Sequence, residues 1–423
     1  MPRIDLVAPP MSGHLHPLLG IGRRLARDHD VRVLSTLAAQ QEIDDAGLSG
    51  QVVLEGDDEL ISAIVNPPYG VRSNPWRLHA QFRANLGLLE RLELELRALW
   101  TASPPDLVIA DFTIPVAGSV ATALGIPWWT TTPSPVAMET PEGPPGYLGG
   151  WRPYPGRFGQ LRDASGRFIV RTFKRAVHRL HRARLARLGF PAPYRPDGVE
   201  AIYSPTCVLA LAAGVLEFPR SYPPTVEFVG PVMYSPPVNV PAPPFVEGRQ
   251  HVLITIGTHL GWLREALAAA VRDAARGLPT LEFHLSDGDR NGRRRESMTN
   301  VHRISFISYE RHLARYALVV HHGGSGVLGY TLAAGTPAAV FPVDFDHFDN
   351  AARLDVAGVA FPLRRLGDLA EVIARALHDE AMRSACREMQ QFFRAGDAEE
   401  RVAQRVSSHF AGRASVGHRE SPR

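Results

Sequence analysis

Along the first half of the chain, short apolar runs alternate with longer stretches whose apolar positions recur every three to four residues. Positions 4–8 (Ile, Asp, Leu, Val, Ala) read as a strand. A turn holding Gly13, His14, His16 and Pro17 follows, then a helix over 18–26. Positions 31–34 form the next strand. Between 76 and 99, Leu78, Phe82, Leu86, Leu89, Leu92 and Leu96 keep helical spacing, which predicts a long amphipathic helix. Positions 107–110 read as a strand running into Asp111, 117–123 as a helix and 128–131 as another strand. Strands alternating with helices predict an α/β fold with a parallel, doubly wound sheet.

Two segments break the rhythm. A Pro/Gly-rich stretch over 132–156 is too long for an ordinary connection, and long irregular insertions of this kind are often functional loops. A basic helix follows, with Arg171, Lys174, Arg175, Arg179, Arg182, Arg184 and Arg187. A solvated face explains it most simply; attraction to a membrane surface or an anionic ligand is the other reading. Residues 234–247 hold five prolines in fourteen positions, a semi-rigid spacer. Beyond it the pattern restarts, with strands at 251–256, 281–285, 301–304, 318–321 and 338–341 and helices at 262–276, 325–334 and 347–357. The expected domains are therefore 1–233 and 248–395, joined by 234–247 and followed by a helix over 396–412 and a disordered tail over 413–423. Two doubly wound domains face each other across a cleft, and ligands of open α/β sheets bind at the carboxyl ends of the strands.

Composition narrows the class. The 423 residues carry 46 basic and 43 acidic side chains and are 45% hydrophobic, which excludes disorder, collagen and coiled coil. So near a charge balance argues against a dedicated nucleic-acid binder. Lys174 is the only lysine, and arginine is spread over every segment. Cys207 and Cys386 lie far apart without metal or disulfide spacing, which suggests a reducing compartment. The N-terminus lacks the apolar core of a signal peptide, and no apolar run reaches membrane-spanning length. The expectation is a cytoplasmic protein without a transmembrane segment.

The strongest chemical signal is His321-His322-Gly323-Gly324-Ser325-Gly326, between an apolar strand and a helix. Small residues at such a turn let the backbone approach a ligand, and the helix N-terminus points free N–H groups at an anion. The turn lacks both the lysine of a P-loop and the dinucleotide-binding glycine order. The segment HHGGSGVLGYTLAAGTPAAVFPVDFDHFDNAARL resembles the donor-binding signature of glycosyltransferase family 1, GT-B enzymes that use nucleotide sugars. PPMSGHLHPLLGIGRRLA resembles that family's acceptor-side opening, and ITIGT at 254–258 its first donor-domain strand. The resemblance spans essentially the whole chain and is closest to bacterial enzymes that glycosylate natural products.

It implies a GT-B fold of two Rossmann-like domains, with the last helix crossing back onto the N-terminal domain. His322 is then expected at the donor diphosphate, with Gly324, Ser325 and Gly326 supplying backbone donors and Gly257 and Thr258 in the neighbouring loop. Phe306 falls where the family stacks an aromatic ring on the nucleobase, although the usual Trp-Val-Pro-Gln reads Phe306-Ile307-Ser308-Tyr309 here. Asp346 matches the acid that binds sugar hydroxyls. His347 stands where glutamine is usual, which fits a donor sugar other than plain glucose. His14 matches the catalytic base and Asp111 its partner. Imidazole suits the task because it is poised near neutral pH and its cation gains from a carboxylate on the second nitrogen.

Other assignments come from residue chemistry. His16 shares the turn with His14 and is assigned an acceptor-shaping or structural role; Tyr147 and Trp151 make the 132–156 loop suited to a flat, apolar acceptor. His259 and His321 flank the phosphate region. No metal-binding spacing appears, and the resemblance implies none is needed, because helix dipoles and imidazoles stabilise the departing diphosphate. The expected reaction is inverting transfer of a sugar from a TDP- or UDP-sugar to a small-molecule hydroxyl, with no cofactor. Rival readings are a lipid acceptor with peripheral membrane contact, a catalytically silent partner protein, and a nucleotide-sugar epimerase on the same fold. A homodimer is compatible with all of them.

Overall fold

A computed structural model describes residues 1–71, 74–258, 260–394 and 396–417, with the side chains of 394 and 413–417 left aside. The N-terminal sheet contains β1 (Arg3–Val7), β2 (Asp30–Ser35), β3 (Ser49–Val52), β4 (Leu107–Asp111), β5 (Trp128–Thr132), β6 (Val208–Ala210) and β7 (Val226–Phe228), in the order β3-β2-β1-β4-β5-β6-β7. The C-terminal sheet contains β8 (Gln250–Thr255), β9 (Leu281–Ser286), β10 (Arg295–Met298), β11 (Val301–Ile304), β12 (Leu318–His321), β13 (Ala338–Val340) and β14 (Ala360–Pro362), in the order β10-β11-β9-β8-β12-β13-β14. Every pairing is parallel except the edge pair β10–β11. These are two Rossmann-like sheets, each covered by helices on both faces.

Burial on both faces explains why the central strands are runs of Val, Ile and Leu without alternation. In β4 all five residues of LVIAD are buried. The long helix Pro75–Ala102 starts on a strong local signal: Pro75 occupies its first turn and the Asn74 side chain accepts from the backbone N–H groups of Trp76 and Arg77. Its far end is fixed to the sheet through Asp5, a fully buried carboxylate that accepts from Trp100 Nε1 at 2.7 Å and from Arg32 at 2.6 and 3.0 Å. A buried charge is tolerated only when paired in this way. The helix thus becomes a rigid wall of the cleft.

The spacer has no regular structure through residues 231–247, as its prolines require. It lies pinned along the C-terminal domain, with Phe245 among His251, His284 and Tyr316. The last helix, Ala398–Gly417, packs Ala398, Val402, Ala403 and Val406 into the core of the N-terminal domain. Arg24 and Glu400 tie it to the helix Ser12–Leu25 at 2.6 Å. It runs through 413–417, where a disordered tail is expected from sequence; 418–423 lie outside the described residues. No helix among the described residues is long and apolar enough to cross a membrane.

Candidate active site

The register of β1 against β4 sets Val7 beside Ala110, so the two strands end at the same edge. His14 leaves the first turn of the helix Ser12–Leu25 just beyond β1, and Asp111 is the last residue of β4. His14 Nδ1 lies 3.0 Å from Asp111 Oδ2. The other carboxylate oxygen accepts from Thr113 N–H at 2.9 Å and from its hydroxyl at 2.6 Å. A fully committed, buried acceptor holds the proton on Nδ1 and leaves Nε2 as the basic nitrogen. Burial alone lowers the affinity of His14 for a proton. The charge and hydrogen bond of Asp111, with help from Asp346 across the cleft, outweigh it and raise the pKa above the usual histidine value.

On the other domain, β8 and β12 lie side by side with Thr255 paired to His321. Their loops therefore adjoin. Gly257 and Gly323 adopt φ of +69° and +97°, a region that favours glycine. A Cβ on Gly257 would stand 2.9 Å from the His322 ring, so the backbone must pass close to that imidazole. Gly324 caps the helix Ser325–Ala334 and is followed by its unsatisfied N–H groups. A Cβ on Gly13 would come within 3.9 Å of Ser325 Oγ. The positive ends of two helices, one from each domain, thus converge on one point of the cleft.

His347 packs edge-to-face on His322, with ring centroids 4.7 Å apart. It is buried, its Nδ1 accepts from the Asp344 backbone N–H at 3.2 Å, and burial holds its pKa below the usual value. Asp346 opens the helix His347–Val356, and Asn350 bridges it to the Gly323 carbonyl at 3.1 and 2.8 Å. His321 is pushed down to about 3 by burial, stays neutral, and accepts from Gly323 N–H. His259 lies outside the described residues.

One cavity of about 830 Å³ joins these groups. His14, His16, Tyr147, Gly257, Thr258, Phe306, His322, Gly324, Ser325, Gly326, Asp346 and His347 all line it, and Asp111 stands behind His14. The half beneath the N-terminal domain is walled by Leu54, Ile61, Phe82, Leu88, Phe112 and Phe190, with Lys174 and Glu200 a polar pair at 2.5 Å among them. Trp151 departs from expectation. It does not line the cavity but packs beneath Arg162 and against Gly166. His16 is held by Glu42 Oε2 at 2.6 Å, with Arg290 of the other domain 3.4 Å away. That arrangement favours its structural role.

Several residues that matter here carry no local signal in sequence. Arg290 lies over Phe306 at 5.3 Å and also reaches the Pro236 carbonyl of the spacer. Three hydrogen bonds link the two domains: Tyr147 N–H to Asp349 at 2.9 Å, Val71 N–H to Asp344 at 3.0 Å, and Leu260 N–H to Asn66 at 2.9 Å. Each partner is distant in sequence, so no spacing rule points to it.

Residues 284–408 match the family model described as erythromycin biosynthesis protein CIII-like, C-terminal domain. The chain is 26% identical to the zeaxanthin glucosyltransferase of Pseudescherichia vulneris, over 98% of this chain and all of that one. Its fold resembles the solved glycotransferase of kitacinnamycin, with a TM-score of 0.73 at 20% identity over 96% of this chain and 99% of the other. A TM-score of 0.66 at 18% identity relates it to the glycosyltransferase SsfS6 of Streptomyces sp. SF2575 complexed with thymidine diphosphate, over 96% and 100% of the two chains.

Proposed function

We infer that this chain, a GT-B glycosyltransferase of the type found in antibiotic pathways, transfers a sugar from a TDP- or UDP-sugar to a hydroxyl of a lipophilic natural product with inversion at the anomeric carbon. The observation that carries this reading is the His14–Asp111 pair, set at the helix terminus that faces Ser325 across a cavity with one apolar half. A cavity of about 830 Å³ is large for a small metabolite alone and suits a donor and an acceptor together.

In this reading Phe306 stacks on the nucleobase. The backbone of Gly324, Ser325 and Gly326, His322, and the Gly257–Thr258 loop take the diphosphate, while Asp346 and His347 hold the sugar. The acceptor lies in the apolar half with one hydroxyl at His14 Nε2. As that oxygen attacks the anomeric carbon, its proton passes to Nε2 and the C–O bond to the diphosphate breaks on the opposite face. Asp111 then stabilises the imidazolium. The departing diphosphate gains negative charge at the converging helix termini, which stabilises the transition state without a metal ion. Closure of the cleft excludes water that would otherwise hydrolyse the donor. We place this chemistry in the cytoplasm.

Turnover of TDP- and UDP-sugars with a panel of aromatic and polyketide aglycones tests the reading. Glycoside of inverted configuration is expected from the wild type, unchanged by EDTA and absent from His14→Ala. Interconversion of the sugar nucleotide without acceptor would point instead to an epimerase.

A further inference from the structure

The helix Gly156–Leu180 presents two different faces. Gly159, Asp163 and Gly166 are buried against the domain, and Phe173, Lys174, Val177 and His178 line the cavity. Its outer face carries Phe158, Leu161 and Phe168, exposed to 84%, 66% and 70%, with Ile169 and Leu180 beside them. Large side chains this exposed are unusual in a lone surface helix. Seven of the 21 exposed large hydrophobics among the described residues fall between Tyr154 and Leu180.

The charge is as uneven as the hydrophobicity. Residues 156–187 contain ten basic side chains and one acid, Asp163, which is buried. The remainder of the chain holds 36 basic and 42 acidic residues, so the positive charge of the protein is concentrated in this segment. Among the described residues, no ion pair engages Arg157, Arg175, Arg179, Arg182 or Arg187. Exposed phenylalanine and leucine interleaved with unpaired arginine, on a face without acids, complement a surface that is anionic outside and apolar beneath.

We propose that the outer face of the helix Gly156–Leu180 docks on anionic lipid bilayers, with Phe158, Leu161 and Phe168 in the acyl boundary and the arginines at the headgroups. The opposite face of the same helix borders the acceptor half of the cavity, so docking sets that cavity next to the phase in which a lipophilic acceptor dissolves. This last link rests on the proposed function; the docking does not, and vesicle binding is read without turnover.

Co-sedimentation of the full chain with vesicles of phosphatidylcholine, and of phosphatidylcholine mixed with phosphatidylglycerol, tests it. The wild type should pellet with the mixed vesicles and far less with phosphatidylcholine alone. Replacing three arginines (Arg157→Gln, Arg175→Gln, Arg179→Gln) should weaken binding roughly 100-fold, from a contribution of about fivefold per charge. Replacing three apolar residues (Phe158→Ser, Leu161→Ser, Phe168→Ser) should weaken it at least about 100-fold. All six positions are at the surface, so unchanged melting temperatures will verify folding. A wild type that stays in the supernatant with both vesicles at low salt overturns the proposal. So does binding untouched by the apolar triple variant, or self-association of the wild type that the triple variant abolishes, which would assign the face to a second copy.

Discussion

Asp349 sits where the 132–156 loop meets the C-terminal domain, and its ionisation should be measurable as a loss of stability. The carboxyl group is 2% exposed and accepts the Tyr147 N–H at 2.9 Å. Burial pushes its pKa up to about 6, against the opposing pull of that N–H and of Arg353. An unfolded aspartate titrates near 4, so the folded state binds this proton more tightly than the unfolded one. Stability is therefore fullest below about pH 4, falls as the pH rises to about 6, and stays level above that. A difference of about two pH units corresponds to at most about 3 kcal/mol. Asp349→Asn keeps an oxygen for the Tyr147 N–H and removes the charge. Melting temperatures of variant and wild type should coincide near pH 4 and separate by a few degrees in favour of the variant by pH 8. A difference independent of pH, or a variant less stable than wild type at pH 8, would show that the buried Asp349 charge does not destabilise the fold.

Asp111→Asn removes the charge that raises the His14 pKa and presents an N–H₂ group to Nδ1, favouring the tautomer with Nε2 protonated. The rate should fall roughly 10²- to 10⁴-fold, with the acid limb of kcat/KM moved to lower pH, as a pH–rate profile will reveal. Gly20→Ala should destabilise the fold by about 1–3 kcal/mol in denaturant titration, because its Cβ would stand 2.6 Å from Val232 Cγ1 and 2.8 Å from Tyr234 Cβ. Leu88→Trp, which fills the apolar half of the cavity, should raise the acceptor KM at least about tenfold while leaving the donor KM unchanged in two-substrate kinetics.

Much of this architecture was legible because its signals are local. Residues 107–110 are a short apolar run holding the β-branched Val108 and Ile109, and 76–99 keep helical spacing, so a strand and a helix can be read there locally. Asp111 at the end of an apolar run and His14 in a Gly/Pro turn could be placed at strand ends, and the sheet register then brings them to 3.0 Å. Strands β3, β6, β7, β10 and β14 escape the sequence reading. Trp151 was misplaced too. An aromatic in an irregular loop carries no periodic clue to its direction, and here Trp151 turns to Arg162 and Gly166 on the following helix. Contacts between the domains, such as Glu42 with Arg290 and Asp349 with Tyr147, depend on how the two sheets are set and leave no trace in spacing.

Thermal stabilisation of the intact protein by UDP, TDP, GDP and ADP tests most directly whether the cleft between Phe306 and His347 holds a nucleoside diphosphate. A ligand that binds only the folded state at 100 times its Kd adds about 2.7 kcal/mol. A clear rise in Tm is expected with UDP or TDP, little with the purine diphosphates, and loss of the effect in Phe306→Ala and His322→Ala. No shift from any nucleotide at millimolar concentration, or a shift that survives in both variants, would contradict nucleotide binding there.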